Sequence, residues 1–297
     1  MKIRRVLQTI MERLTAMNAL ETTLNRNLVT QVQPESLLFY SGNIHSQRGQ
    51  DGILAEIFRR LNFSSGYFVE FGAWDGIYLS NSRFLFEKGW NGCFIEANPQ
   101  KYKKLTQVYS QYANIKSVNA MVGAPAHGVA GLSLKTILSN ANIDHAGITF
   151  VSIDVDGPDL EVFLEMGFKP PVVLLEGGFN FSPYYTKKID EEIAWRNMQQ
   201  PLSVIIDHGI EAGYTPVCFY QDTYLVRTDL IIPAFSRIIK DPVTLYKDAI
   251  AFMPNHYYDD LLRFRSTSQV VRAEEEKHFG FFSKDPLDYS RTTQVKG

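Results

Sequence analysis

Seven short apolar runs, spaced by amphipathic stretches and ending in a pair that almost touch, constrain this chain more than any single motif. They are "GYFVEF" (66–71), "GCFIEA" (92–97), "IKSVNA" (115–120), "ITFVSIDV" (148–155), "PVVLLEG" (171–177), "YTPVCFY" (214–220) and "TYLVRT" (223–228). Near-continuous apolar strands alternating with helices require a parallel sheet covered on both faces. The helix ends are readable. Asn98-Pro99 supplies an N-cap and a first-turn proline, with Tyr102, Leu105 and Tyr109 as the buried stripe. Pro158 opens a helix through Leu160, Phe163 and Leu164 that stops at Gly167, and the helix after Leu79 stops at Gly89. Only Gln221-Asp222 separates the last two runs, which makes them an antiparallel hairpin. The expected fold is α/β, a seven-stranded doubly wound sheet, mostly parallel, with a terminal hairpin.

A net charge of −2 over 297 residues gives no general affinity for nucleic acid. Cys93 and Cys218 both sit in strand-like runs and are expected to be buried, reduced thiols of a cytoplasmic protein. No apolar segment reaches the roughly 20 residues of a membrane span, and Thr9, Glu12 and Arg13 interrupt any signal-peptide core. Three regions are expected: residues 1–30, 31–230 and 231–297. In the first, Ile3, Leu7, Ile10, Leu14, Met17, Leu24 and Leu28 form a narrow stripe on a helix. That stripe fits packing on its own domain, a homo-oligomer seam or, with Lys2, Arg4, Arg5 and Arg13, contact with an anionic inner-membrane surface.

The turn after the first strand, Glu70-Phe71-Gly72-Ala73-Trp74-Asp75-Gly76, lies where open α/β sheets bind ligands. Gly72 and Gly76 allow close backbone approach. Glu70 and Asp75 place negative charge where a phosphate loop presents only N–H groups. That favours a cationic ligand such as S-adenosylmethionine over a nucleoside triphosphate, although a plain tight turn has the same composition. Glu96, ending the second strand, is placed to take both hydroxyls of a ribose, so a dinucleotide also remains conceivable. Asn119, ending the third, could border an adenine.

The segment "SQRGQDGIL…GYFVEFGAWDGIYLSNSRFLFEKGWNGCFIEANPQKYKKL", continued by "SLKTIL", "VSIDVDGPDLEVF", "VVLLEGGFNFSP" and "QPLSVIIDHGIEAGYTPVCFYQDTYLVRTDL", resembles the FkbM-type methyltransferases. These S-adenosylmethionine-dependent enzymes mostly O-methylate sugars or natural products and share the Rossmann-like class I layout. The resemblance covers roughly residues 46 to 230. It implies that Glu70, Gly72, Ala73, Asp75 and Gly76 border the methionine part of the cofactor and that Glu96 and Ala97 border its ribose. Gln47 to Asp51 would close one side.

Methyl transfer to a sugar hydroxyl needs a general base, a metal ion, or both. Asp154, Asp156 and Asp159 in "IDVDGPD" and Glu176 in "LLEGG" cluster at two adjacent strand ends. Asp154 and Glu176 are the expected catalytic pair, with Asp154 also beside the cofactor. Asp154, Asp156 and Glu176 offer oxygen ligands to Mg²⁺ or Mn²⁺. The competing role for Asp156 and Asp159 is capping of the next helix. Of the histidines, His145 falls on the far side of the sheet and His256 in the C-terminal region. His208 is the histidine carried as a candidate base, against a simpler role at a helix C-terminus. The stretch 177–201 holds Phe179, Phe181, Tyr184, Tyr185 and Trp195 and is expected to face a carbohydrate ring, with a subunit contact or hydrophobic capping of the sheet as the competing roles. The expected partner is a small-molecule or glycan acceptor. Two other classes stay open: a metal-dependent glycosyltransferase using Asp154 and Asp156 as a D-x-D motif, and a non-catalytic cofactor-binding module.

Overall fold

The computed structural model describes residues 32–190, 199–236 and 238–289. The strands are β1 (Tyr67–Phe71), β2 (Asn91–Glu96), β3 (Ile115–Asn119), β4 (Phe150–Ile153), β5 (Val172–Glu176), β6 (Tyr214–Tyr220) and β7 (Asp222–Arg227). They form one sheet in the order β3-β2-β1-β4-β5-β7-β6. All neighbours are parallel except β7, which runs antiparallel to both β5 and β6. This is the expected Rossmann-like, doubly wound sheet with its terminal hairpin. The hairpin is tighter than the sequence indicated: Gln221 alone connects the strands, at φ 66, and Asp222 is already the first residue of β7.

Side chains alternate across the sheet with period two. Phe68, Phe94, Phe150, Val172, Leu174 and Tyr224 face one core; Val69, Phe71, Cys93, Ile95, Val151, Ile153, Val173 and Leu175 face the other. The first core is covered by α1 (Gln50–Arg60), α2 (Arg83–Glu87) and α3 (Pro99–Tyr109). The second is covered by α4 (Leu134–Asn140) and α5 (Asp159–Glu165), with Val204 and Ile205 of α6 (Leu202–Glu211). The helix ends form as expected. Asn98 accepts the N–H groups of Gln100 and Lys101, and Gly89 and Gly167 take left-handed φ values of 82° and 74°. Both cysteines are buried and free.

Beyond β7, α7 (Pro242–Phe252), α8 (Asn255–Thr267) and α9 (Gln269–Phe279) follow. Leu245, Tyr246, Phe252 and Leu261 join the first core, so this region packs on the sheet. It also absorbs the aromatic loop. Phe179 stacks on Phe219 and Tyr246, while Phe181, Tyr185 and Ile189 pack with Val271 of α9. The expectation of a carbohydrate-facing aromatic surface at Phe179, Phe181 and Tyr185 is therefore corrected, since these rings are core, and the competing role of capping the sheet is the one Phe179 takes. Buried Arg265 locks the arrangement, donating to both oxygens of Glu275 at 2.9 and 2.7 Å and to the carbonyls of Asn180, Ser283 and Lys284. The stripe of residues 1–30 and Trp195 lie outside the described residues. Among the described residues, no helix is long and apolar enough to cross a membrane.

Candidate active site

Where the sheet switches direction between β1 and β4, a cavity of about 790 Å³ opens at the carboxyl ends of the strands. Two-residue steps along the strands carry the aromatic face into acids: Phe68 to Glu70, Phe94 to Glu96, Leu174 to Glu176. Ser152 and Asp154 continue the same parity from Phe150. All five of these polar side chains line the cavity, with Gln47, Gln50, Gly72, Ala73, Trp74, Asn81, Ala97, Lys101 and Asp156.

At one end lies Glu96. Its Oε2 accepts from Trp74 N at 2.8 Å and its Oε1 from Asn98 N at 2.7 Å, so the turn after β1 and the cap of α3 hold it from both sides. Lys101 stands over the Trp74 ring at 4.5 Å. In the middle, Gly72 has φ 71°, and a Cβ there would sit 2.7 Å from the carbonyl oxygen of Asp154. The glycine thus lets the ends of β1 and β4 approach each other. Glu70 is buried and turned into the next segment: Oε2 accepts from Ser80 Oγ (2.8 Å) and Ser82 N (2.9 Å), Oε1 from Asn81 N (3.3 Å). Burial raises its pKa to about 7 against the lowering effect of those donors.

At the other end, Asp154, Asp156 and Glu176 bring carboxylate oxygens within 4.8 Å of one another. Asp156 reaches this position from a left-handed backbone, φ 58°. Asp154 lines the cavity with its side chain exposed there; desolvation by the surrounding protein and the charge of Asp156 raise its pKa, while a hydrogen bond with Glu176 lowers it. Glu176 is pushed up further, by burial and by the charges of Asp154, Asp159 and Asp222, and its Oε2 is enclosed without a hydrogen-bond partner. Neighbouring carboxyls in such a setting favour uptake of a proton by one of them. Asp222, cross-strand neighbour of Glu176, is also buried, and burial lifts it to about 7.

Several expected site residues stand elsewhere. Asp75 does not line the cavity; its Oδ1 accepts from Ile77 N and Tyr78 N and shapes the turn. Gly76 packs against α3, where a Cβ would meet Tyr109 and Leu105. Asp51 is buried behind the 43–50 loop, accepting from Ile44 N, His45 N and Ser46 N at 2.6 to 2.9 Å. Asn119 donates to the carbonyls of Glu96 and Ala97, bracing the strand end. His208 lies late in α6 beside Glu211 at 3.2 Å, away from the cavity. Asp159 is a helix-start residue, accepting from Val155 N and Gly157 N at 2.8 Å. Asp222 and Gln50 were not singled out by motif; the parity that leads from Tyr224 back to Asp222 is the signal that finds the former.

No protein-family model matches this chain, and no curated protein does. Among solved structures, it is similar to a putative caffeoyl-CoA O-methyltransferase from Staphylococcus aureus: 14% identity over 58% of this chain and 79% of that one, TM-score 0.39. It is also similar to an O-methyltransferase from Bacillus cereus in complex with S-adenosylhomocysteine (12%, 70% and 90%, TM-score 0.36). A third is an S-adenosylhomocysteine-bound methyltransferase from Podospora anserina (12%, 72% and 87%, TM-score 0.37). What the site does must be argued from its own residues.

Proposed function

We propose that this chain is an S-adenosylmethionine-dependent O-methyltransferase of the FkbM type, methylating a sugar hydroxyl of a glycan or glycosylated metabolite. The observation that carries this is the order of groups along one cavity wall: the buried Glu96, the Gly72 turn, then the Asp154–Glu176 pair. Such an order suits a ligand with a nucleoside at one end and its reacting centre at the other. Each Glu96 oxygen accepts one backbone N–H and keeps a lone pair. Two adjacent acceptors match the vicinal hydroxyls of a ribose. The cofactor, when bound, supplies an electrophilic methyl on a sulfonium.

The remaining chemistry belongs to the chain. A carboxylate of the Asp154–Glu176 pair can accept the proton of an acceptor hydroxyl as the methyl is transferred. Asp154, Asp156 and Glu176 also fit a hard divalent cation, having only oxygen donors in one small cluster. Mg²⁺ or Mn²⁺ held there would lower the pKa of a nearby hydroxyl. Cytoplasmic placement, self-association or inner-membrane contact through residues 1–30, and the absence of a nucleic-acid partner are parts of the same proposal.

One observation favours a second class. Asp154 and Asp156 both open into the cavity, so the D-x-D pattern of a metal-dependent glycosyltransferase has a physical counterpart. That alternative leaves Glu96 without a task. Titration calorimetry decides between them. Binding of S-adenosylhomocysteine, and not of UDP-sugars with Mn²⁺, supports methyl transfer; the reverse supports glycosyl transfer. Binding of neither sinks both.

A further inference from the structure

At the acid end of the cavity, Gln50 has no part in the chemistry so far. It is the first residue of α1, lines the cavity with Asp154 and Glu176, and is only 6% exposed. Its carboxamide is tied at both ends: Nε2 donates to Asp222 Oδ2 at 2.8 Å, and Oε1 accepts from Arg48 N at 2.5 Å. These partners fix which end is nitrogen, because a backbone N–H cannot donate to an amide NH₂. Asp222 in turn stands directly across the ladder from Glu176.

A carboxamide has two N–H donors and an oxygen with two lone pairs. The two ties consume one of each, which leaves one donor and one acceptor on a group that cannot rotate. A vicinal diol has the matching complement: the reacting hydroxyl accepts from Nε2 and keeps its single proton for the Asp154–Glu176 pair, while the neighbouring hydroxyl donates to Oε1. An ammonium could only donate, and a carboxylate could only accept. We infer that Gln50 is the specificity-determining residue that selects a hydroxyl acceptor and holds it beside the Asp154–Glu176 pair, with Asp222 as its positioning residue. This rests on the methyltransferase proposal above and deepens it. The charged and titratable groups around Asp222 are Asp154 and Glu176 from the strand ends, Tyr224 of β7 and Arg48 from the 43–50 loop, whose guanidinium lies over Tyr257 of α8 at 5.3 Å.

The test combines S-adenosylhomocysteine calorimetry with methyl transfer from S-adenosylmethionine. The acceptor panel is methyl hexopyranosides, UDP-hexoses and their amino-sugar counterparts. Gln50→Met, nearly isosteric, should leave the S-adenosylhomocysteine Kd within about threefold while lowering kcat/KM for a hydroxyl acceptor about 10- to 100-fold, the effect of losing one or two hydrogen bonds to the ligand. Asp222→Asn still offers Gln50 an acceptor oxygen and should lose less than about threefold, whereas Asp222→Leu should approach Gln50→Met. Should Gln50→Met fail to fold, Gln50→Asn, one methylene short of Asp222, should show the same selective loss. Unchanged kcat/KM in Gln50→Met, an equal loss of cofactor affinity, or a wild type that methylates only the amines or none of the panel overturns the inference. Failure of the wild type to bind S-adenosylhomocysteine overturns the underlying proposal instead.

Discussion

Replacing Glu70 with glutamine isolates one buried ionisation beneath the cavity. Glu70 titrates near 4.5 when exposed and about 7 in the folded chain, because burial outweighs its three donors. Between those values the native state binds more protons than the unfolded state, so stability falls as pH rises. Each group contributes about 1.4 kcal/mol per pH unit, and the interval of about 2.5 units gives roughly 3 kcal/mol. The stabilisation is complete below pH 4.5 and gone above pH 7. Glutamine cannot titrate. It turns an NH₂ toward one of the donors from Ser80, Asn81 or Ser82, which costs a pH-independent ~1–3 kcal/mol. The diagnostic is the slope of the difference. Asp159, Asp222 and Glu176 are also raised by burial and tilt both proteins alike, so subtraction removes them. Urea unfolding followed by intrinsic fluorescence at half-unit steps from pH 4.5 to 8 should show wild type losing about 3 kcal/mol relative to Glu70→Gln. Parallel curves for the two proteins would refute the assignment of a buried, proton-binding Glu70.

Three further outcomes are expected. Gly72→Ala forces a left-handed alanine, costing about 1–2 kcal/mol, and drives its Cβ against the Asp154 carbonyl, so the urea midpoint and turnover should fall together. Glu96→Ala should weaken S-adenosylhomocysteine binding by more than about 100-fold, since it removes a charged acceptor at the cavity wall and frees two turn N–H groups. Asp75→Ala, which loosens only its own turn, should weaken binding by less than about tenfold; the opposite order in calorimetry would reverse the placement of these two acids. Arg265→Ala leaves Glu275 buried and unpaired and should cost about 3–5 kcal/mol in thermal unfolding, without altering cofactor affinity at temperatures where the variant is folded.

The strands, the terminal hairpin and most helix ends were legible because they depend on local patterns: apolar runs, a short connection, an Asn-Pro start, glycines at helix ends. The aromatic loop was not. Phe179, Phe181 and Tyr185 read first as a ligand-facing surface, with sheet capping only as the competing role, because the helices that bury them, with Tyr246 and Val271, come about 70 to 90 residues later in the chain. Buried Arg265 belongs to the same long-range layer. A charged residue on a helix gives no local sign that its partners are Glu275 and three carbonyls.

Among the acids, parity rather than motif separates the cavity wall from the turns. Glu70, Glu96 and Glu176 each stand two residues beyond Phe68, Phe94 or Leu174, so the pleat itself turns them toward the cavity side of the sheet. Asp154 is four beyond Phe150, and Asp222 two before Tyr224. Asp75 lies beyond Gly72 and Trp74, both with positive φ, where the pleat has ended and parity no longer predicts direction; it bonds its own turn. The same rule applied along the hairpin puts Asp222 behind the cavity wall, across from Glu176 and bonded to Gln50. Only after Asp222 is placed does Gln50, held by it, become visible as the group facing the acceptor.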